Sequence, residues 1–460
     1  MSKLTNKNDV KGIDAARETA LKILYDINEK GAYSNISINR HFAASKLKEI
    51  DKAFATELVY GTIRWKLTID WVIEKFSSVK LSRISPWIMN ILRMGVYQTL
   101  FVDRVPETAA CNESVKLAKK YGHTASSGYV NAILRNIARN KDKIEYPDKN
   151  RDVLRFLSIK HSHPEWMVKK WVDLFGIDFT EELLESNNEA PEITVRVNTL
   201  KTTRDELAEN LKASGYEVEN GRYVEQALII KNPHSLIDME TFKKGYFQVQ
   251  DESSMLVSRI LDPKPGELVM DVCSAPGGKA THIAELMKNE GCVIARDIHE
   301  HKIKLINDAA NRLGLDIVKT ELFDAAIPDE RYREKADKVL VDAPCTGLGI
   351  IRRKPDIKWE RTEADITGIV RLQKKILRAA STYVKPGGAL VYSTCTINPE
   401  ENEEVIKDFV SSDSSFSLAD VARYLPQSLR KADAVKGYIQ LFPNVDKVDG
   451  FFIAKFIKKE

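Results

Sequence analysis

Apolar residues recur at helical spacing through the first third of the chain. Ala20, Leu24 and Ile27 fall on one face, as do Phe54, Leu58 and Ile63 after a short polar break. The segments Ile88 to Phe101 and Glu107 to Tyr121 continue the period. Between them Asp103, Arg104, Val105 and Pro106 form a polar stop followed by a helix-start proline. After Gly128, Val130, Ile133, Leu134 and Ile137 share a face that Arg135 and Arg139 avoid. This pattern predicts an all-helical bundle from Ala15 to about Arg139, within a first domain of residues 1–145.

Residues 140–165 are rich in Lys, Asp, Pro and His, which predicts an irregular connection with a boundary near residue 145. Beyond it the period changes. Residues 193–198 (ITVRVN) alternate as a strand, Thr203 to Ser214 reads as a helix ended by Gly215, and residues 227–230 (ALII) form a second strand candidate. A small α+β unit is expected over residues 146–244. From about Gly245, short apolar runs alternate with helical segments: LVMDV, VIARD, KVLVDAP and ALVYSTC. The helix between the second and third runs shows its face through Ile303, Ile306, Ala310 and Leu313, and Gly314 can cap it. Such alternation predicts parallel strands with crossover helices, an α/β domain over residues 245–460.

Composition narrows the class. With 43% apolar and 30% charged residues, and no run of about 18 uncharged apolar residues, the 460-residue chain is expected to span no membrane. Met1 to Gly12 is polar and lacks the apolar core of a secretory signal, so a cytoplasmic location is expected. The five cysteines, Cys111, Cys273, Cys292, Cys345 and Cys395, lie far apart without a CxxC pair, which argues against a zinc site or a disulfide framework. Charge is uneven. Residues 1–150 hold 25 Lys and Arg against 16 Asp and Glu, while the whole chain is only +4, so the rest is acidic. A polyanion partner for the basic part and a merely solvated basic face are both open on charge alone.

In an open α/β sheet, ligands sit at the carboxyl ends of the strands. The first run leads into Asp271, Val272 and then Cys273, Ser274, Ala275, Pro276, Gly277, Gly278 and Lys279, with a helix following. Paired glycines admit a ligand close to the backbone, and a helix N-terminus offers free N–H groups. The loop matches neither G-x-G-x-x-G nor the P-loop, because Ala280 stands where the P-loop hydroxyl belongs. Asp297 ends the second run, where doubly wound folds place an acid for ribose hydroxyls, and Asp324 follows a weaker strand candidate near Ile317 and Val318. Together these favour a nucleoside ligand. The remaining runs end in Asp342, Pro344 and Cys345, and in Ser393, Thr394 and Cys395. A lone cysteine after a strand is most often an inert buried thiol, but two at adjacent sheet ends face one crevice, where a stabilised thiolate is a nucleophile.

The stretches DVCSAPGGKATH, VDAPCTGLGIIRRKPDIKW, YSTCTINPEENEEV and GFFIAKFIKK resemble the RNA cytosine-C5 methyltransferases of the Sun (RsmB or Fmu) type. The N-terminal region, with ETAACNESVKLAKKYG and YVNAILRNIAR, is similar to the helical RNA-binding domain of the antitermination factor NusB. The resemblance covers nearly the whole chain. It implies a multidomain protein: a NusB-like bundle, a small α+β RNA-recognition unit and a Rossmann-like S-adenosylmethionine-dependent methyltransferase domain. It implies that residues 273–279 form the S-adenosylmethionine loop, that Asp297 binds the ribose and Asp324 the adenine, and that Asp342 contacts the methyl-donor pocket and the target base. Cys395 is then the nucleophile and Cys345 assists release. The domain combination implies 16S ribosomal RNA or its small-subunit precursor as partner, with cytosine 967 as target. Arg352, Arg353, Lys354 and Lys358, just beyond Cys345, are candidates to hold RNA backbone, and a merely solvated basic loop is equally open for them. Two other readings remain open from sequence: a non-catalytic RNA-binding factor, and the same chemistry on transfer RNA or large-subunit RNA.

Overall fold

The computed structural model describes residues 12–231 and 236–460, so the polar N-terminal stretch up to residue 11 lies outside the described residues. The chain packs as two units. The first comprises residues 1–189 with 351–360, the second residues 190–350 with 361–460.

The first unit is helical. Asp14 starts its first helix (Ala15–Lys30) by accepting from the Arg17 amide at 2.8 Å, and Gly31, at φ 65°, ends it. The expected segments follow as Pro86–Phe101, Glu107–Tyr121 and Thr124–Arg139, with Val130, Ile133, Leu134 and Ile137 buried in one apolar core. The stretch expected to be irregular, 140–165, departs from that reading: it contains the helix Val153–His161, and Glu165–Phe175 and Ile177–Asn188 extend the helical array. The polar residues that suggested a loop sit at helix ends, where they are useful. Asp152 caps the Arg155 amide at 3.0 Å and Pro164 precedes the next helix, while Leu157 and Ile159 are buried.

Residues 351–360, although they follow Cys345 in sequence, belong to this unit. Trp359 packs against the helical core and its indole N–H donates to the Ile63 carbonyl at 2.8 Å, while Asp356 accepts from the Ser34 hydroxyl at 3.0 Å.

The second unit holds two sheets. Strands β1 (Ile193–Val197), β2 (Val218–Asn220), β3 (Ala227–Ile230) and β4 (Phe247–Val249) form an antiparallel sheet in the order β2-β3-β1-β4. The helix Arg204–Ala213 beside it starts with a capping box between Thr203 and Glu206. The larger sheet takes β5 (Leu268–Asp271), β6 (Cys292–Asp297), β7 (Val318–Leu322), β8 (Ala336–Asp342), β9 (Val384–Thr394), β10 (Phe416–Leu418), β11 (Tyr438–Leu441) and β12 (Phe451–Lys458). Its order is β10-β12-β9-β8-β5-β6-β7, with β11 paired to β12. Strands β5 to β9 run parallel, as the alternation predicts. The C-terminal GFFIAKFIKK supplies β12, which runs antiparallel to β9 and makes the sheet mixed.

Between β5 and β8 the strand order reverses direction, the place where open α/β sheets bind ligands.

Candidate active site

The loop after β5 turns into the helix Gly278–Leu286 through Gly277, which adopts φ +100°. A side chain there would be strained, and a Cβ would stand 3.1 Å from the Ile306 Cα. The carbonyl of Gly278 accepts from Arg196 at 2.8 Å, and Ser274 is pinned by its amide bond to the Arg296 carbonyl at 2.7 Å. Inside this loop several polar atoms are left over. The Ser274 hydroxyl and both carboxylate oxygens of Asp271 are buried without a hydrogen-bond partner. Burial, and then the charge of Asp342, push the Asp271 carboxyl up to about 7. The Cys273 thiol is raised well above its ordinary value by burial and by Asp271, Asp342 and Asp297, so it stays protonated.

Asp297 ends β6 and accepts from the His299 amide at 3.0 Å through one oxygen. Asp324 follows β7 and caps the Ala326 amide at 2.9 Å, again through one oxygen. The Phe323 amide donates to the Asp297 carbonyl at 3.1 Å, which ties the two acid-bearing turns together. Asp342, at the end of β8, has both oxygens engaged: Lys279 donates to one at 2.7 Å and Ser393 to the other at 2.8 Å. Lys279 therefore couples the glycine loop to Asp342, a contact that the loop sequence alone does not announce.

The sulfurs of Cys345 and Cys395 lie 3.2 Å apart. The hydrogen bond to Cys395, reinforced by burial, holds the Cys345 thiol well above its ordinary value. Glu401, fully buried, fixes the two loops that carry these cysteines. It accepts from the Thr346 amide at 2.8 Å and hydroxyl at 2.5 Å, from the Thr396 hydroxyl at 3.3 Å and from Gln373 at 3.1 Å. The two threonine hydroxyls meet at 3.0 Å. Behind them the Gly349 amide donates to the Cys395 carbonyl at 3.0 Å, and a Cβ on Gly349 would stand 2.0 Å from the Gly450 carbonyl oxygen, so only glycine lets these segments approach.

Sequence reasoning missed Glu401, Asp271 and Arg196. Arg196 is fully buried on β1 and forks onto Glu285 at 2.9 and 2.8 Å, with further bonds to Gln250 and to the Thr281 hydroxyl. A charged residue in mid-strand was the available signal. Among the basic residues beyond Cys345, the structure removes two from any RNA contact. Lys358 is fully buried and donates to the Arg64 carbonyl at 2.8 Å and to Asn188 at 3.0 Å, and burial holds its amine well below the ordinary lysine range. Arg352 is buried as well. The reason is the packing of residues 351–360 into the helical unit.

Family models match three stretches: the 16S rRNA methyltransferase RsmB/F over residues 258–457, the NusB family over 14–139, and the RsmF/B-like ferredoxin-like domain over 163–236. A Bacillus subtilis protein described as probable ribosomal RNA small subunit methyltransferase B is 40% identical over 97% of this chain and 99% of its own length. The chain belongs to the RsmB/F family of rRNA small-subunit methyltransferases. The crystal structure of PH0851 superposes at a TM-score of 0.81 with 31% identity, covering 96% of this chain and 98% of that one. The structure of NSun6 from Pyrococcus horikoshii with SFG does so at 0.57 with 26% identity, covering 65% and 98%. The helical bundle, the small antiparallel sheet and the mixed sheet are thus the NusB-like, ferredoxin-like and methyltransferase parts of an RsmB/F enzyme. Every candidate residue from Cys273 to Cys395 falls within the span of its methyltransferase model. Among the described residues no helix is long and apolar enough to cross a membrane.

Proposed function

We propose that this RsmB/F enzyme methylates C5 of a cytosine in 16S ribosomal RNA or its small-subunit precursor, cytosine 967 in the family's usage, in the cytoplasm, with S-adenosylmethionine as donor. The observation that carries the reading is the 3.2 Å approach of the Cys345 and Cys395 sulfurs beside an Asp342 carboxylate held by Lys279 and Ser393.

The residues fit the donor. The loop of Cys273, Ser274, Ala275, Pro276, Gly277, Gly278 and Lys279 carries an orphaned buried hydroxyl and leads into a helix N-terminus, which suits the amino-acid end of S-adenosylmethionine. Asp297 and Asp324 each keep a carboxylate oxygen beyond the one that caps a turn, for the ribose and the adenine. Bound S-adenosylmethionine supplies an electrophilic methyl group. Cytosine C5 is too weak a nucleophile to take it directly, so the Cys395 thiolate adds to C6 and pushes electron density to C5. Cys345 is kept as a thiol by its hydrogen bond with Cys395 and by burial, which leaves Cys395 as the sulfur for the nucleophile's role. As attack at C6 makes N3 more basic and N3 takes up a proton, the Asp342 carboxylate accepts from the N3–H and so stabilises the charge that develops in the ring. After transfer, the C5 proton passes to water, the electron pair of that C–H bond re-forms the C5–C6 double bond, and the C6–S bond breaks to return the Cys395 thiolate, a departure that Cys345 assists by hydrogen-bonding the leaving sulfur. The base must leave any stack to reach this crevice.

The test is to supply the full chain with unmethylated 16S RNA, 23S RNA and transfer RNA, together with S-adenosylmethionine, and to map 5-methylcytosine by bisulfite sequencing. One modified cytosine in 16S RNA is expected. Modification confined to 23S or transfer RNA, or modification of a base other than cytosine, overturns the reading.

A further inference from the structure

At the amino ends of the parallel strands, opposite the ends that carry the cysteines, the loop that precedes β5 borders a cavity of about 410 Å³ lined by Arg259, Asp262, Lys264, Lys288, Arg423 and Tyr424. That volume lies within the range of small-ligand sites, about 300–1,000 Å³. Its chemistry is lopsided. Among the described residues the side chains of Arg259, half-buried, and of Lys288, exposed, make no hydrogen bond or ion pair, and the exposed Arg423 side chain bonds only the Tyr424 hydroxyl, at 2.6 Å. The Tyr424 hydroxyl also receives Lys455 at 2.8 Å, so with both lone pairs engaged its own proton is left to donate. Asp262 is the lining acid, and Lys264 occupies one of its oxygens at 2.6 Å. The cavity is therefore rich in donors and positive charge and poor in acceptors.

Cations often gather at helix C-termini to meet orphan carbonyls, and the helices Glu252–Leu261 and Gly278–Leu286 both end here. Those carbonyls already have partners. Lys455 takes the Ile260 carbonyl at 2.6 Å, Lys338 takes that of Asp262, and the amides of Met287, Lys288 and Asn289 close the second helix. Arg259, Lys288 and Arg423 are not needed for capping. Beneath them, burial presses the Lys455 amine down to about 7; Asp262 pulls it up, and Lys338, Arg423 and Lys264 add smaller depressions. An oxyanion with several acceptor oxygens satisfies the free donors and the charge together.

We propose that this cavity binds the phosphate group of a nucleotide, supplied either by a phosphodiester of the substrate RNA or by a free nucleotide. The RNA source rests on the function proposed above; phosphate binding itself does not. The test uses the full chain, its Arg259→Ala/Lys288→Ala/Arg423→Ala variant, and a control carrying Lys212→Ala/Lys335→Ala/Lys447→Ala, three exposed lysines elsewhere on the same unit. Binding of a 16S RNA fragment is measured across a salt series, and inorganic phosphate and uridine monophosphate are titrated by calorimetry. If RNA supplies the phosphate, the cavity variant loses about tenfold or more in RNA affinity and its salt slope falls by roughly one phosphate equivalent, while the control changes little. If a free nucleotide supplies it, the wild type binds phosphate or uridine monophosphate, the cavity variant does not, and RNA binding is unchanged. S-adenosylmethionine affinity stays the same in both cases. Equal effects from the cavity and control variants, or no effect in either assay, overturn the proposal. A protein that binds phosphate here yet methylates no 16S RNA overturns only the substrate assignment.

Discussion

Asp342 and Ser393 are register partners across β8 and β9, and the Ser393 hydroxyl donates to Asp342 at 2.8 Å. That pairing sets the geometry of everything beyond it. Cys345 lies three residues past one partner and Cys395 two past the other, so parallel strand pairing delivers both sulfurs to one crevice although fifty residues separate them.

The first prediction divides the work of the two thiols. Cys395→Ala removes the sulfur proposed to add to C6, and both methylation and any covalent RNA adduct should vanish. Cys345→Ala should still form the adduct but fail to resolve it, leaving a slow, nuclease-sensitive band on a denaturing gel. The band appearing with Cys395→Ala instead would exchange the two roles.

Glu401 offers a second test, since it touches neither sulfur. Glu401→Gln replaces one acceptor oxygen by a donor that faces the Thr346 amide or the threonine hydroxyls, at a cost of about 1–3 kcal/mol. Because the clamp positions the cysteine loops, kcat should fall at least tenfold with KM for RNA within a factor of about three. A variant that loses stability yet keeps kcat would reduce Glu401 to a purely structural residue.

The third prediction concerns Arg196 and Glu285, a buried pair whose separation leaves an uncompensated charge. Arg196→Met should destabilise the second unit by roughly 3–5 kcal/mol, and Arg196→Met/Glu285→Leu should recover most of that loss. The probe matters here. All six tryptophans (Trp65, Trp71, Trp87, Trp166, Trp171 and Trp359) lie in the helical unit, so their fluorescence is blind to this change. Denaturation followed by far-ultraviolet circular dichroism reads it. A double variant no more stable than Arg196→Met would break the pairing argument.

Asp271 makes stability depend on pH. Its folded pKa of about 7 lies above the ordinary carboxylate value of 3.8, so the folded state keeps a proton that the unfolded chain releases. The favourable term is complete below about pH 4 and is lost as pH rises toward 7. Asp271→Asn abolishes the titration. Its stability relative to wild type should therefore increase by roughly 2–3 kcal/mol from pH 5 to pH 8, as read by denaturation of the ligand-free protein. A difference that stays constant over that range would mean that Asp271 ionises as an ordinary carboxylate.

What the sequence reveals and what it hides follow from the range of the interactions involved. Strands β5, β6, β8 and β9 are legible because each is a short apolar run with its candidate residue at the carboxyl end. The cysteines, Asp297, Asp324 and the glycine loop stand out for the same reason. Arg196 and Glu401 are not legible, since a mid-strand arginine or a loop glutamate becomes buried only through partners tens of residues away. Lys358 shows the opposite failure. Its run of positive neighbours reads as a surface for RNA, but the chain carries it into a helical core. The helix Val153–His161 was hidden because its capping residues resemble those of a loop.

The return of residues 351–360 to the helical unit bears on how the protein is made and how it can be divided. The chain crosses between its units after residue 189, after 350 and after 360, so no single cut releases either one whole. During synthesis the helical unit emerges first, yet the place that Trp359 and Lys358 occupy stays unfilled until the ribosome has passed residue 360, with much of the methyltransferase domain already made. An N-terminal fragment ending at residue 189 would expose that vacant seat, and supplying residues 351–360 as a separate peptide should close it.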